Sequence, residues 1–118
     1  MNNQQKMISE IPFFNALYNN SKEICVLILD TNGIVLSINP AFCNCFGYSE
    51  KDLIGKSGII LFTEEDQKNG RFEHELKEVH ASGQSYDNNY LVNKNKKITW
   101  VSGESVLVKK EDGTIIIL

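Results

Sequence analysis

Two histidines, three cysteines and a scatter of serines and acids are the side chains of this 118-residue sequence that could carry chemistry. His74 and His80 each offer an imidazole nitrogen to a haem iron or another metal. Cys43 and Cys45 form Cys-x-Cys, but on a helix residues two apart are rotated by about 200° and cannot grip one ion alone. A structural zinc needs four ligands, and both histidines lie far along the chain. The cysteines therefore read as small, semi-buried apolar residues. Hydrolysis needs a nucleophile beside a base and an orienting group. No Gly-x-Ser-x-Gly occurs, and Ser102-Gly103-Glu104 reads as strand. Gly55 precedes Lys56-Ser57, but Glu50 stands where a phosphate-cradling loop has its first glycine, so Gly55 and Gly58 read as turn glycines. The candidate chemistry points away from catalysis.

The elements that must position these residues follow from periodicity. Ile8, Ile11, Phe14, Leu17 and Tyr18 recur at helical spacing over residues 1–22, with Pro12 interrupting or restarting the helix. Apolar runs over 24–29 and 34–38 flank Asp30-Thr31-Asn32-Gly33 and predict a β-hairpin. Asn39-Pro40 suits a helix start, with Phe42, Cys45 and Phe46 on one face and Gly47 as the stop. Ser49 with Asp52 predicts a second cap, and Gly55 a second stop. Thr63, followed by Glu64, Glu65 and Asp66, opens the longest helical pattern, which Gly83 closes despite the interior Gly70. Phe72, Leu76 and Val79 fall within one arc of roughly 60° on that helix, with His74 nearly opposite. Beyond Gly83, Tyr86, Tyr90 and Val92 alternate with polar residues, and Ile98, Trp100, Val106 and Val108 share one parity. Two polar breaks, 94–97 and 110–113, read as turns, and 114–118 as a final strand. A chain that stops inside an apolar strand suggests a longer native polypeptide. The order predicts an α+β fold with an antiparallel sheet and helices on one face.

Composition sets the remaining bounds. With 42% apolar residues the chain can bury one core. A net charge of −3 without a basic stripe excludes a nucleic-acid footprint. An odd cysteine count without a leader pattern argues against a disulfide framework, and a reducing, cytoplasmic compartment is the expectation. No apolar run approaches the ~20 residues that cross a bilayer.

Specific segments add what periodicity alone does not. Phe13 to Tyr18, Leu29-Asp30-Thr31-Asn32-Gly33-Ile34, Asn39-Pro40-Ala41-Phe42, Phe46-Gly47-Tyr48-Ser49 and Leu53-Ile54-Gly55-Lys56 resemble, in order, the opening half of a bacterial PAS domain. Leu61 to Asp66, Glu75-Leu76 leading to Ser82-Gly83, Trp100-Val101-Ser102-Gly103 and Glu111-Asp112-Gly113 resemble its second half. One departure is informative. Many relatives have Lys-Asp-Gly before the Trp strand, where this chain has Lys94-Asn95-Lys96-Lys97. A tight turn with two positive φ values is disfavoured without Gly, which predicts a longer or differently shaped loop.

The resemblance implies a PAS fold: a five-stranded antiparallel sheet holding a small pocket against short helices over 23–118, with residues 1–22 as an amino-terminal helix. It implies a sensory, non-enzymatic input module that senses a small ligand or mediates regulated dimerisation. A carboxy-terminal output domain such as a histidine kinase or diguanylate cyclase, in a two-component or similar pathway, would receive the signal. Phe42, Phe46, Ile59, Phe72, Leu76, Tyr90 and Trp100 are the expected pocket residues, the alternative being a close-packed core. Haem-binding relatives use a histidine on the long helix, at a position that matches Phe72 here. Light-sensing relatives carry a reactive cysteine where this chain has Lys56-Ser57-Gly58-Ile59. Neither haem nor flavin nor metal is therefore expected, a haem- or flavin-binding sensor being the alternative. A homodimer is expected through Ile8, Ile11, Phe14 and Leu17, and neither nucleic acid nor membrane is an expected partner.

Overall fold

The computed structural model describes residues 12–109 and 114–117. Pro12–Asn20 forms helix α1, and Leu27–Leu29 and Val35–Ile38 form strands β1 and β2. Helices α2 (Pro40–Phe46) and α3 (Glu50–Leu53), a 3₁₀ turn (Gly58–Leu61), and helices α4 (Glu64–Lys68) and α5 (Arg71–Ser82) follow. Strands β3 (Gln84–Val92), β4 (Ile98–Lys109) and β5 (Thr114–Ile117) complete the chain. All five strands join one antiparallel sheet in the order β2-β1-β5-β4-β3. This is an α+β architecture with one antiparallel sheet, as the order of elements in the sequence predicts. Among the described residues, no helix is long and apolar enough to cross a membrane.

Local chemistry places the short helices. Asn39 is fully buried, and its Oδ1 accepts from the amide of Phe42 at 3.0 Å, capping α2. The same oxygen accepts from the amide of Val26 at 2.9 Å, and Nδ2 donates to the carbonyl of Ile24 at 2.8 Å. One side chain thus caps a helix and ties it to the segment entering β1. Gly47 ends α2 in the left-handed region, and the Ser49/Asp52 capping box opens α3.

The helix predicted from Thr63 to Gly83 is instead two helices. Gly70 adopts φ 71°, which ends α4 and starts α5 on a new axis. Gly bears this conformation without the steric cost of a Cβ, so the break falls at the one interior glycine of the pattern. Phe72 and Val79 are buried and Leu76 half-buried, as the helical spacing requires.

Two apolar clusters lie on opposite faces of the sheet. The larger joins Leu27, Leu29, Val35 and Ile38 to Phe42, Phe46, Leu53, Leu61, Phe62, Phe72 and Val79 beneath α2 to α5. The smaller is Val26 and Ile28 with Tyr18 and Leu36, so α1 covers the other face at β1 and β2. A hydrogen bond between the Tyr18 hydroxyl and Ser37 fastens α1 there.

The β3–β4 connection shows how the chain manages without glycine. The Asn93 amide donates to the Lys97 carbonyl at 2.9 Å, closing a loop in which Lys96 takes φ 70°. Asn93 Oδ1 accepts from the amides of Asn95 and Lys97. A type I turn followed by a left-handed residue is the usual three-residue hairpin loop. The loop is longer than a two-residue turn, and a lysine bears its strained position.

Candidate functional site

The register of β3 and β4 decides which side chains face the helices. Tyr90 pairs with Trp100, and Asn89 with Val101. Ser85, Asn89 and Ser105 are buried, and Leu91, Val101 and Leu107 pack on the large core. Tyr86, Ile98, Tyr90 at 51% and Trp100 at 55% are exposed. Side chains of one parity share a face, so the odd-numbered residues point inward. None of these is aromatic, and they do not fill the space between the sheet and α5.

That space is a cavity of about 400 Å³. Its apolar wall comes from Leu27 and Leu29 of β1, Phe42 and Phe46 of α2, Leu61 and Phe62, Phe72, Leu76 and Val79 of α5, and Leu91 and Val101. Phe72 and Phe62 meet edge to face at 5.4 Å between ring centroids. A Cβ on Gly33, whose φ is 81°, would lie 2.7 Å from Phe72 Cζ and 2.9 Å from Leu76 Cδ1. The β1–β2 turn can therefore press on that side of α5 only with glycine there.

The polar end of the cavity is formed by Glu75 and Asn89. Asn89 Nδ2 donates to Glu75 Oε1 at 2.6 Å, and Arg71 Nε donates to the same oxygen at 3.3 Å. Arg71 also reaches the carbonyl of Asn88. Glu23, Ile24, Cys25 and Cys45 line the opposite part of the wall. Burial, with the neighbouring Cys45 thiol, pushes Cys25 up to about 11. The thiolate is the nucleophilic form, so Cys25 is a neutral wall residue at physiological pH.

Four of the sequence-predicted pocket residues, Phe42, Phe46, Phe72 and Leu76, line this cavity. Ile59 packs on the core but does not line it. Tyr90 and Trp100 lie on the opposite sheet face, where their rings meet edge to face at 4.9 Å. Their placement corrects the parity expected for β3 and β4. Both parities carry apolar residues, and the bulkier aromatic set faces out because the inner set must leave room under α5. Glu75 and Asn89 escaped the sequence reading. Glu75 carried a signal, since it lies three residues after Phe72 and four before Val79, on the flank of the apolar arc.

The remaining candidates are dispersed. His74 is solvent-exposed and pairs with Glu78 at 3.4 Å. His80 is exposed, and its Nε2 donates to the Thr31 carbonyl at 3.1 Å. Cys43 is half-buried and Cys45 exposed. Among the described residues, no three His, Cys, Asp or Glu side chains converge as metal ligands. Of the dimer candidates, Leu17 is half-buried, whereas Ile8, Ile11 and the Phe14 side chain lie outside the described residues.

Comparisons with known proteins agree with this architecture. A domain of a sensory box sensor histidine kinase/response regulator from Geobacter sulfurreducens superposes with TM-score 0.79 at 18% identity, covering 92% of this chain and 90% of that one. The PAS domain of a Colwellia psychrerythraea protein gives 0.78 at 17% identity, covering 92% and 93%. A PAS domain in complex with ethanol, from a LuxR-family transcriptional regulator of Burkholderia thailandensis, gives 0.71 at 14% identity, covering 87% and 92%. A search of curated proteins finds no match. The family model described as PAS domain matches residues 23–118, and with the fold and the hollow core in place, the chain belongs to the PAS domain family.

Proposed function

We propose that this domain is the input module of a signalling protein, and that its signal is a small molecule held in the cavity. The observation that carries the reading is the space of about 400 Å³ with an apolar wall and one polar end. Small-molecule sites are concave, mostly apolar and furnished with a few placed polar groups. The ethanol complex of the structurally similar Burkholderia PAS domain supports a cavity that admits small hydroxylic molecules. The site uses no haem, flavin or metal: Phe72 occupies the place of a haem-binding histidine, and the histidines present face solvent.

The signal passes to a carboxy-terminal output domain, with the module acting in the cytoplasm and without catalysis of its own. Two copies pair through α1 and the residues before it, including Ile8, Ile11, Phe14 and Leu17. The exposed Tyr86, Tyr90, Ile98 and Trp100, on the sheet face that α1 partly covers, support a second copy there.

The ligand reading is tested by denaturing the purified protein and analysing the released small molecules by mass spectrometry. A stoichiometric metabolite, reduced in a Val101→Phe variant that fills the cavity, is the expected result. Equal recovery from both proteins counts against it.

A further inference from the structure

The polar end of the cavity contains a buried amide whose bonding is incomplete. Asn89 is only 4% exposed, and it lines the cavity from the inner face of β3. Its amide orientation is fixed by chemistry. A carboxylate only accepts hydrogen bonds, so the atom 2.6 Å from Glu75 Oε1 is the nitrogen Nδ2. The carbonyl oxygen Oδ1 then receives no donor from the described residues. Buried polar groups are almost always paired, and leaving one unpaired is costly. Whatever occupies the cavity beside Asn89 must therefore bring an O–H or N–H. Water is the smallest such donor, and a ligand that displaces it without a donor loses that hydrogen bond.

Charge narrows the class further. Glu75 brings a carboxylate to the same end, and Arg71 meets it from outside at 3.3 Å. The pair balances its own charge, so the cavity offers no uncompensated cation to an acidic ligand. An anion would meet the Glu75 carboxylate in a largely apolar space, where burying an unpaired charge is strongly unfavourable. The rest of the wall, with Leu29, Phe42, Phe72 and Leu91, suits a hydrocarbon or aromatic body.

We propose that Asn89, oriented by Glu75, is the specificity determinant of the cavity and selects neutral, mainly apolar molecules bearing an O–H or N–H donor. This rests on the ligand-binding reading above. Anionic ligands and pure hydrocarbons are discriminated against, the first by Glu75 and the second by the unmet Asn89 oxygen.

The test uses the full 118-residue chain and two matched pairs of probes: phenol with anisole, and indole with 1-methylindole. Each pair keeps the apolar body and differs in the donor. Binding is followed by amide chemical-shift changes at Leu29, Leu91 and Val101. The donor-bearing member should bind about 10-fold more tightly, the net worth of roughly one buried hydrogen bond. Asn89→Leu should bring the ratio near one while both members still bind. Equal wild-type affinities with shifts at those three residues overturn the role of Asn89 and leave the cavity as a binding site. A preference that survives in Asn89→Leu also overturns it. Absence of shifts with all four probes overturns both this inference and the ligand-binding reading. Equal wild-type affinities decide against Asn89 even if the variant does not fold.

Discussion

Trp100 and Tyr90 meet on the open face of the sheet, each about half exposed. A tryptophan in that position gains little from folding beyond its partner ring. Within one protomer Trp100→Ala should therefore cost less than about 1 kcal/mol, read by urea unfolding at a concentration where the chain is monomeric, as surface substitutions usually do. A loss of about 3–5 kcal/mol, the range for a buried aromatic, would mean that the residue is core. At this scale the sequence was partly legible. Asn39, Gly47 and the Ser49/Asp52 pair announced their roles, because capping needs particular residue types at fixed offsets. The facing of Tyr90 and Trp100 was not legible, since both parities of β3 and β4 carry apolar side chains and alternation alone does not choose between them. Asn89 was hidden for a related reason: a polar residue on a strand reads as outward-facing until a cavity is known to lie beneath it.

Helix α3 is held to the β3–β4 loop by electrostatics rather than by a large apolar face. Asp52 accepts from the Ser49 amide at 2.8 Å and from Lys94 Nζ at 2.9 Å. The Lys94 amide donates to the Phe46 carbonyl, and the Tyr48 hydroxyl to the Val92 carbonyl. The Ser49 hydrogen bond first, and then Lys94, lower Asp52 from the usual 3.8 to about 2. A carboxyl lowered on folding stabilises the folded state above its unfolded value, and that contribution disappears as pH falls through the folded one. The stability difference between wild type and Asp52→Asn should thus be constant near neutrality and shrink between about pH 4 and pH 2. Chemical denaturation across that range checks it, and a pH-independent difference would remove the ion pair from the account. The split of α4 from α5 also belongs to this scale. Gly70 was visible as a weak point in a helical pattern, but its left-handed conformation depends on where α5 must lie over the sheet, which is a tertiary requirement.

For the whole molecule, the element order and the α+β class were legible because caps, turns and apolar runs repeat in a consistent sequence. The cavity was expected from the family resemblance and not from periodicity, because it forms where inner residues of β3 and β4 meet aromatic residues on α2 and α5, far apart in the chain. The proposed dimer is a whole-molecule property as well. Tyr18 holds α1 to its own sheet, so a second copy would meet the face of α1 that remains open. Sedimentation equilibrium should show a dimer for the full chain and a monomer after removal of the residues before Ser21. A dimer that survives the truncation would place the interface elsewhere.

The cavity is the feature on which the functional reading depends, and xenon tests it directly, because the gas enters apolar space such as Phe42, Phe72, Leu91 and Val101 enclose. A crystal of the protein pressurised with xenon should show density enclosed by Phe42, Phe72, Leu91 and Val101, with Tyr90 and Trp100 on the opposite sheet face. No density there, with side chains closed across the space, would contradict a ligand-receiving cavity.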